Sequence, residues 1–175
     1  MANKNMFLEE YVFKGHQCDM VLALTSKIDN DSNASIFATT IDLFIFSILV
    51  GCKLNLRKKP SKDASKTTKI FASAFNTHAN ELRLAFKFAM LTANSDLDDD
   101  VKRLNRTFRN PETDENYQLL EEYMLGGLEE IYNNIFVDSN NRYEDYLTSV
   151  NKFMSTFDEK KSDDGDKPST EEFEF

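Results

Sequence analysis

Residues 36–50, IFATTIDLFIFSILV, are the most apolar stretch of the sequence. In a helix these side chains would occupy nearly every side, and such a helix is usually surrounded by other elements of the fold. The stretch is also shorter than the roughly 20 residues that are needed to cross a bilayer. We therefore predict a buried central helix over residues 36–52, with Ser35 as its N-cap and Gly51 near its end.

Helical periodicity continues on both sides of this stretch, because apolar residues recur at spacings of three and four. With 15 Phe, three Pro, five Gly and no Trp, the chain has large side chains for a core and few helix breakers. Residues 53–69 are predicted as an irregular connector, and residues 70–75 as either a helical turn or an extended segment. Further helices are predicted over residues 6–27, 77–92, 96–108, 113–136 and 142–157.

The predicted fold is all-α: a compact bundle of five or six helices around the central apolar helix, in one domain at residues 1–157. Residues 158–175 carry eight acids against three lysines, which predicts a disordered acidic C-terminal tail. In its last stretch, EEFEF, Phe173 and Phe175 alternate with carboxylates, a pattern suited to docking in a basic, apolar pocket of a partner. The alternatives are that the tail keeps the protein soluble or shields basic segments of the same chain.

Adjacent glycines, Gly126 and Gly127, lie in the middle of the helix predicted over residues 113–136. Each costs about 1 kcal/mol relative to Ala in a helix interior, so the pair needs a structural reason. They indicate a kink, a junction between two helices, or a neighbouring helix packed very close. Gly15 similarly weakens the helix predicted over residues 6–27 and is a point at which that helix can divide.

The charge of the chain is segregated, although its net value is −9. Residues 53–69 contain seven basic residues against Asp63 alone, and residues 101–109 add four more with no acid. Basic residues on a flexible loop can follow a nucleic-acid backbone, whereas the alternative is a solvated loop and a salt-bridged helix facing acidic neighbours. The candidates for contact with DNA phosphates are Lys53, Arg57, Lys58, Lys59, Lys62, Lys66, Lys69, Lys102, Arg103, Arg106 and Arg109.

No pattern marks a catalytic, metal or cofactor site. The two histidines, His16 and His78, lack the ligand pairs of a zinc site, and no glycine-rich phosphate loop occurs. The acidic pairs at 121–122 and 129–130 would bind a metal only if their helix met another acidic face. We therefore predict a protein that is not an enzyme, has no cofactor and works by binding.

The two cysteines, Cys18 and Cys52, each lie in an apolar helical pattern. The N-terminal residues MANKNMFLEEYVF also lack the continuous apolar core of a signal peptide. Together these features predict free, buried thiols in a reducing compartment, and hence a cytoplasmic protein without membrane association.

Three stretches, taken in order, resemble a known protein family. They are FATTIDLFIFSILVGCKLNLRKKP (37–60), ELRLAFKFAMLTAN (81–94) and LLEEYMLGGLEEIYNNIF (119–136), the last followed by RYEDYL (142–147). The order resembles the small family of proteins associated with bacterial Dnd systems, which put phosphorothioate sulfur into the DNA backbone and restrict DNA that lacks it. The resemblance covers about residues 36–153, so the acidic tail lies outside it and its role would be particular to this chain.

The resemblance implies a non-catalytic accessory protein of a bacterial DNA-modification and restriction defence system, acting with other components of a defence complex. It strengthens the hypothesis that basic segments 53–69 and 101–109 contact double-stranded DNA, which requires the two segments to lie side by side. The alternative is an adaptor that docks a nuclease or ATPase partner through a helical face and the EEFEF tail. That alternative requires an exposed apolar patch. The oligomeric state stays open.

Overall fold

The computed structural model describes residues 9–28, 34–92, 99–137 and 143–159. In chain order the elements are β1 (Tyr11–Lys14), α1 (His16–Thr25), α2 (Thr40–Leu54), β2 (Thr67–Ile70), α3 (Ala72–Thr77), α4 (Ala79–Thr92), α5 (Asp100–Leu104), α6 (Asp114–Ile131) and α7 (Tyr143–Glu159). Two π-helical segments, π1 (Asn105–Arg109) and π2 (Tyr132–Val137), continue α5 and α6. The all-α class is confirmed, since seven helices account for most of the described residues and the two strands are short.

Helix α2 is the central element of the fold, as the sequence predicts. It packs against α6, α4 and α1, and Leu43, Phe44 and Ile48 are fully buried. The predicted N-cap at Ser35 is wrong. The helix begins at Thr40, and the hydroxyl of Thr39 accepts a hydrogen bond from the Asp42 amide at 3.2 Å. Ser35 instead donates to the carbonyl of Phe37, within a turn that follows a β-bridge from Ser35 to Lys27.

The glycines of α2 and α6 lie where the two helix backbones meet. A Cβ atom on Gly51 would lie 1.9 Å from the Tyr123 carbonyl oxygen, and one on Gly127 would lie 1.9 Å from the Ser47 carbonyl oxygen. Both distances are far inside van der Waals contact, so no other residue fits at either position. Of the three interpretations of the adjacent glycines, close packing of a neighbouring helix is therefore confirmed.

Gly51 lies near the end of α2, as predicted, but the helix runs about one turn past it, to Leu54. The next residue, Asn55, is the C-cap, and its backbone takes the left-handed conformation (φ 53°, ψ 44°). Asparagine tolerates this conformation better than most residues, which makes it an alternative to glycine after a helix. Its side-chain oxygen also accepts a hydrogen bond from the Tyr123 hydroxyl at 2.9 Å, so the end of α2 is fixed to α6.

A two-stranded antiparallel sheet replaces part of two predicted elements. The helix predicted over residues 6–27 is wrong at β1, which pairs with β2 from Tyr11 opposite Ile70 to Lys14 opposite Thr67. Gly15 (φ 53°) separates β1 from α1, so it divides the predicted helix as the sequence allowed. The irregular connector is likewise wrong over the residues of β2. Residues 70–75 combine both predicted alternatives, since the strand ends there and α3 begins.

Aromatic rings join this sheet to the central helix. Phe13 and Tyr11 lie 6.4 Å and 5.6 Å from the ring centre of Phe44, and Phe75 of α3 lies 5.5 Å from it on edge. Such edge-to-face contacts add to the stabilisation that each ring gains by burying its surface.

Cys18 and Cys52 are buried and free, as predicted. Among the described helices, none combines the length and apolarity of a membrane span.

The predicted helix over residues 96–108 is observed from Asp100, after an N-cap at Asp99 whose carboxylate accepts from the Lys102 amide at 2.7 Å. It changes to π-helix at Asn105. The helix predicted over residues 113–136 is capped by Thr113, one of the two predicted caps, and its last turns are the π-helical segment π2. Residues 160–175 of the predicted tail, with Phe173 and Phe175, lie outside the described residues.

Gly127→Ala tests the close contact between α2 and α6. In an isolated helix this change is favourable by about 1 kcal/mol. In the protein, however, the new methyl group meets the Ser47 carbonyl and must push the helices apart. We expect the free energy of unfolding, measured by urea denaturation, to fall by about 3 kcal/mol or more. Asn151→Ala, at an exposed position of α7, is the control and should change it by less than about 0.5 kcal/mol. An unchanged or higher stability of Gly127→Ala would contradict the contact.

Candidate binding surfaces

Ion pairs tie the connector, residues 53–69, to the body of the fold. Four of its seven basic residues lie within 4 Å of a carboxylate, and the partners come from α6, α1 and the residue before β1. Gln17 of α1 adds two hydrogen bonds, donating to the Lys59 carbonyl at 3.0 Å and accepting from the Ser61 amide at 2.9 Å. The connector therefore lies across α1 and α6 and is fixed to both of them. The ion pairs are Arg57–Glu122, Lys58–Glu129, Lys66–Asp19 and Lys69–Glu10.

The pair of Arg57 and Glu122 is the most buried of these contacts. Glu122 is buried, whereas the Arg57 side chain is 42% exposed and its Nε donates to Oε2 of Glu122 at 2.9 Å. Burial acts to raise the pKa of Glu122. Hydrogen bonds from Gln118 and Arg57, with the charges of Arg57 and Lys59, outweigh burial and hold this pKa below its ordinary value. The guanidinium also lies 5.8 Å from the centre of the Tyr123 ring.

The basic residues of segment 101–109 have different environments. Arg103 pairs with Asp100 one turn earlier, and Arg109 donates to the side-chain oxygen of Asn105 at 3.3 Å. The Nε of Arg106 donates to the Met90 carbonyl at 2.8 Å, near the C-terminal end of α4, where a cation also interacts favourably with the helix dipole. Lys102 is exposed.

The two basic segments meet at one place, which we call the basic cavity. Arg57, Lys102 and Arg106 line this open cavity of about 600 Å³, together with amide side chains such as Asn116 and with one acid, Glu115. Of the eleven candidate residues, these three are brought together there. Four of the other candidates, Lys53, Lys59, Lys62 and Arg109, are exposed. Lys58, Lys66, Lys69 and Arg103 are held by carboxylates.

Large apolar side chains are exposed on one side of α4 and on the adjoining α5 and π1. The apolar residues of α4 fall into two sets. The helix buries Leu82, Ala85, Phe86, Ala89 and Met90, and a second apolar stripe is exposed. The relative exposure reaches 71% at Leu84, and α4 packs beside α5 and π1. We call this set the apolar surface: Leu84, Phe88, Leu91, Val101, Leu104 and Phe108.

An aromatic cleft of about 340 Å³ lies beside the apolar surface. Its walls include Phe75, Phe86, Phe108 and Tyr117, which come from α3, α4, π1 and α6. Burial and the charge of Glu112 raise the pKa of Tyr117 to about 12, so this hydroxyl is neutral at physiological pH. No sequence pattern indicated the cleft, because its rings are separated by up to 42 residues and only the fold brings them together.

Polar residues of three types border the aromatic cleft. Arg83 of α4 is exposed, and Lys87, one turn later on the same helix, is half-buried with its Nζ 5.5 Å from the centre of the Phe108 ring. Asn76 supplies an amide and Glu112 a single carboxylate. The cleft therefore combines an apolar interior with two cations along one edge.

The acidic pairs of α6 face hydrogen-bond donors and cations. Glu121 accepts a hydrogen bond from the Tyr11 hydroxyl at 2.9 Å, and burial followed by the charge of Glu121 raises the pKa of Tyr11. Glu129 pairs with Lys58, and Glu130 accepts from the Asn134 amide at 3.0 Å. In the described ranges, no group of three or more His, Cys, Asp or Glu residues is arranged to hold a metal ion.

Comparison with known proteins identifies the family. The family described as DNA sulphur modification system-associated protein 4 matches residues 14–172, most of the chain. The chain belongs to this family. It is therefore an accessory protein of a DNA sulphur modification system, and the resemblance to Dnd-associated proteins is confirmed. No curated protein and no solved structure gives a significant match.

The family match is wider than the resemblance in the sequence indicated. It begins before residue 36 and extends past residue 153 as far as residue 172. The expectation that the acidic tail is particular to this chain is therefore wrong, because most of the tail lies within the matched region. Of the tail, only residues 173–175, which include Phe173 and Phe175, lie outside the matched region.

Glu122→Gln tests the buried ion pair of the connector. The folded-state pKa of Glu122 is lowered, so its carboxylate stabilises the fold above its ordinary pKa of 4.5, and this contribution is lost as the pH falls through the folded-state value. At pH 7 we expect Glu122→Gln to lower the free energy of unfolding by about 1–3 kcal/mol. The difference should shrink in acid, as measured by urea denaturation at a series of pH values. Glu9→Gln, at an exposed acid, should have little effect at any pH. A pH-independent difference for Glu122→Gln would contradict the role of its charge.

Proposed function

We propose that the protein is an adaptor that binds another protein of the DNA sulphur modification system through its apolar surface. The observation that carries this proposal is the exposure of six large apolar side chains on adjoining elements. Scattered exposed apolar residues are ordinary on a soluble protein, but a contiguous group is typical of an interaction site. An accessory protein that acts with other components needs a surface of this kind.

The spacing of the exposed residues supports a helical partner. Leu84, Phe88 and Leu91 are separated by four and three residues on α4, so they form one stripe along that helix. Val101, Leu104 and Phe108 form a second stripe on the neighbouring α5 and π1. An amphipathic helix binds such stripes through apolar residues of its own that recur at spacings of three and four. Arg83 and Lys87 flank the first stripe, which favours a partner helix with acidic residues beside its apolar face.

The adaptor is tested by Leu84→Glu combined with Phe88→Glu in the full chain. Purified protein would be mixed in turn with each of the other purified components of the modification system, including any nuclease or ATPase. We expect wild-type protein to bind one of them and the variant to bind at least about tenfold more weakly, because charges replace two apolar contacts. Both substituted residues are exposed, so circular dichroism should show an unchanged helix content.

Leu22→Glu is the matched control, since Leu22 is an exposed apolar residue of α1, away from the apolar surface. This variant should bind the same component with wild-type affinity. The proposal is overturned if the double variant binds as tightly as the wild type, if Leu22→Glu weakens binding equally, or if no component binds.

Contact with DNA phosphates is the second candidate function. Its support is the basic cavity, in which Arg57 of one basic segment and Lys102 and Arg106 of the other are adjacent. Several observations limit it, because Arg57 is paired with Glu122, Arg106 donates to a helix carbonyl, and Glu115 lines the same cavity. Arg57 and Lys102 are both exposed, but Arg57 is paired with Glu122, so Lys102 would make the main phosphate contact.

Lys102→Ala tests the DNA contact. A short labelled duplex would be titrated with protein over a range of salt concentrations. If Lys102 contacts a phosphate, its removal should lower the affinity and reduce the slope of log affinity against log salt by about 1. Lys152→Ala is the control, because Lys152 is an exposed lysine of α7 that lies outside both basic segments. Absence of binding at low salt, or an equal effect of both changes, would eliminate this function.

A further inference from the structure

We propose that the aromatic cleft binds the acidic, phenylalanine-containing end of the same chain, residues 171–175 (EEFEF). The cleft offers rings for an aromatic side chain and cations for its acidic neighbours. This inference goes beyond the adaptor function and does not depend on it. Three features support it: the apolar chemistry of the cleft, the charge along its edge, and the length of chain available to reach it.

The interior of the cleft is suited to a phenylalanine ring. Its volume of about 340 Å³ is in the range of ordinary ligand pockets. Phe75 is buried in the lining of the cleft, whereas Phe108 is 55% exposed. An incoming ring would therefore cover apolar surface of Phe108 that is otherwise exposed to solvent. The rings of Phe86 and Tyr117, whose centres lie 5.8 Å apart, complete the aromatic lining of the cleft.

The edge of the cleft selects an acidic ligand. Arg83 and Lys87 are four residues apart on α4 and therefore lie on the same side of that helix. In the segment EEFEF, glutamates stand on both sides of Phe173. A bound ring would therefore bring carboxylates to these cations. Glu112 lines the cleft as its one acid, so the two cations leave an excess of positive charge.

The tail has a reach of about one domain width from the end of α7. Residue 171 follows the last described residue, Glu159, by twelve positions, and an extended chain covers about 3.3–3.6 Å per residue, or about 40 Å. A domain of this length has a radius of gyration of about 16 Å, so 40 Å is close to its full width. Because the ligand is tethered, its effective concentration is in the millimolar range, and a weak intrinsic affinity is enough.

The first experiment compares two full-length proteins, the wild type and Phe173→Ala/Phe175→Ala. The probe is a fluorescently labelled peptide of residues 160–175, and its binding is followed by anisotropy. In the double variant the tail no longer competes, so we expect the peptide to bind it at least tenfold more tightly than it binds the wild type. A peptide with both phenylalanines replaced by alanine should bind neither protein. Equal binding of the labelled peptide to both proteins, or binding to neither, would overturn the proposal.

The second experiment locates the binding site within the Phe173→Ala/Phe175→Ala background. Arg83→Glu/Lys87→Glu should weaken peptide binding at least tenfold, because it reverses the charge along the cleft. Lys59→Glu/Lys62→Glu is the matched control at exposed lysines of the connector and should have no such effect. If the connector variant weakens binding and the cleft variant does not, the tail binds the connector and the proposal is wrong. Unchanged circular dichroism would show that each variant is folded.

The oligomeric state distinguishes the chain's own tail from that of a second copy. Light scattering of the wild type should give a monomer at concentrations at which the labelled peptide is excluded. A wild-type dimer that becomes a monomer in Phe173→Ala/Phe175→Ala would mean that the tail is exchanged between chains, which overturns binding within one chain.

Discussion

The contact between α2 and α6 is the constraint on which the rest of the structure depends. Their backbones touch because Gly51 lies against Tyr123, and Gly127 against Ser47. Gly51, Gly126 and Gly127 lie in helix interiors, where each glycine costs about 1 kcal/mol in helix propensity relative to Ala. In return, the two helix backbones approach far more closely than side chains permit, and main-chain atoms in the contact gain dispersion partners. With α2 fixed in this way, α1 and α4 cover its remaining sides.

The same contact determines what the basic connector can do. Gly126 lies against the Leu56 carbonyl, so the chain leaving α2 passes directly over α6. The Lys58 amide then donates to the Glu122 carbonyl at 2.9 Å, and Arg57 reaches the Glu122 side chain. Much of the positive charge that suggests DNA binding is therefore matched by acids within the fold. This is why the apolar surface supports a function more strongly than the connector does.

The parts of the fold that local patterns determine could be predicted from the sequence, and those that depend on distant residues could not. The central helix follows from its apolar stretch, and the close contact at Gly127 was one of three predicted alternatives. The strand at Tyr11–Lys14 could not be recognised, because its apolar residues continue a helical spacing and its partner strand lies more than 50 residues later. Ion pairs such as Arg57–Glu122 are similarly non-local. The exposure of Leu84 depends on which face of α4 meets α2, and periodicity alone leaves that open.

Phe108 belongs to both the apolar surface and the aromatic cleft, so the two proposed binding events are not independent. A tail ring in the cleft would cover part of this side chain and place carboxylates beside Lys87. A partner helix with acidic flanks would meet those carboxylates, and like charges at short range oppose binding. Coupling between two binding sites is reciprocal. A partner that binds the apolar surface would therefore weaken the binding of the tail in the cleft by the same factor by which the bound tail weakens the binding of the partner. Phe108, in the π-helical segment π1, would thus contribute to both proposed binding events.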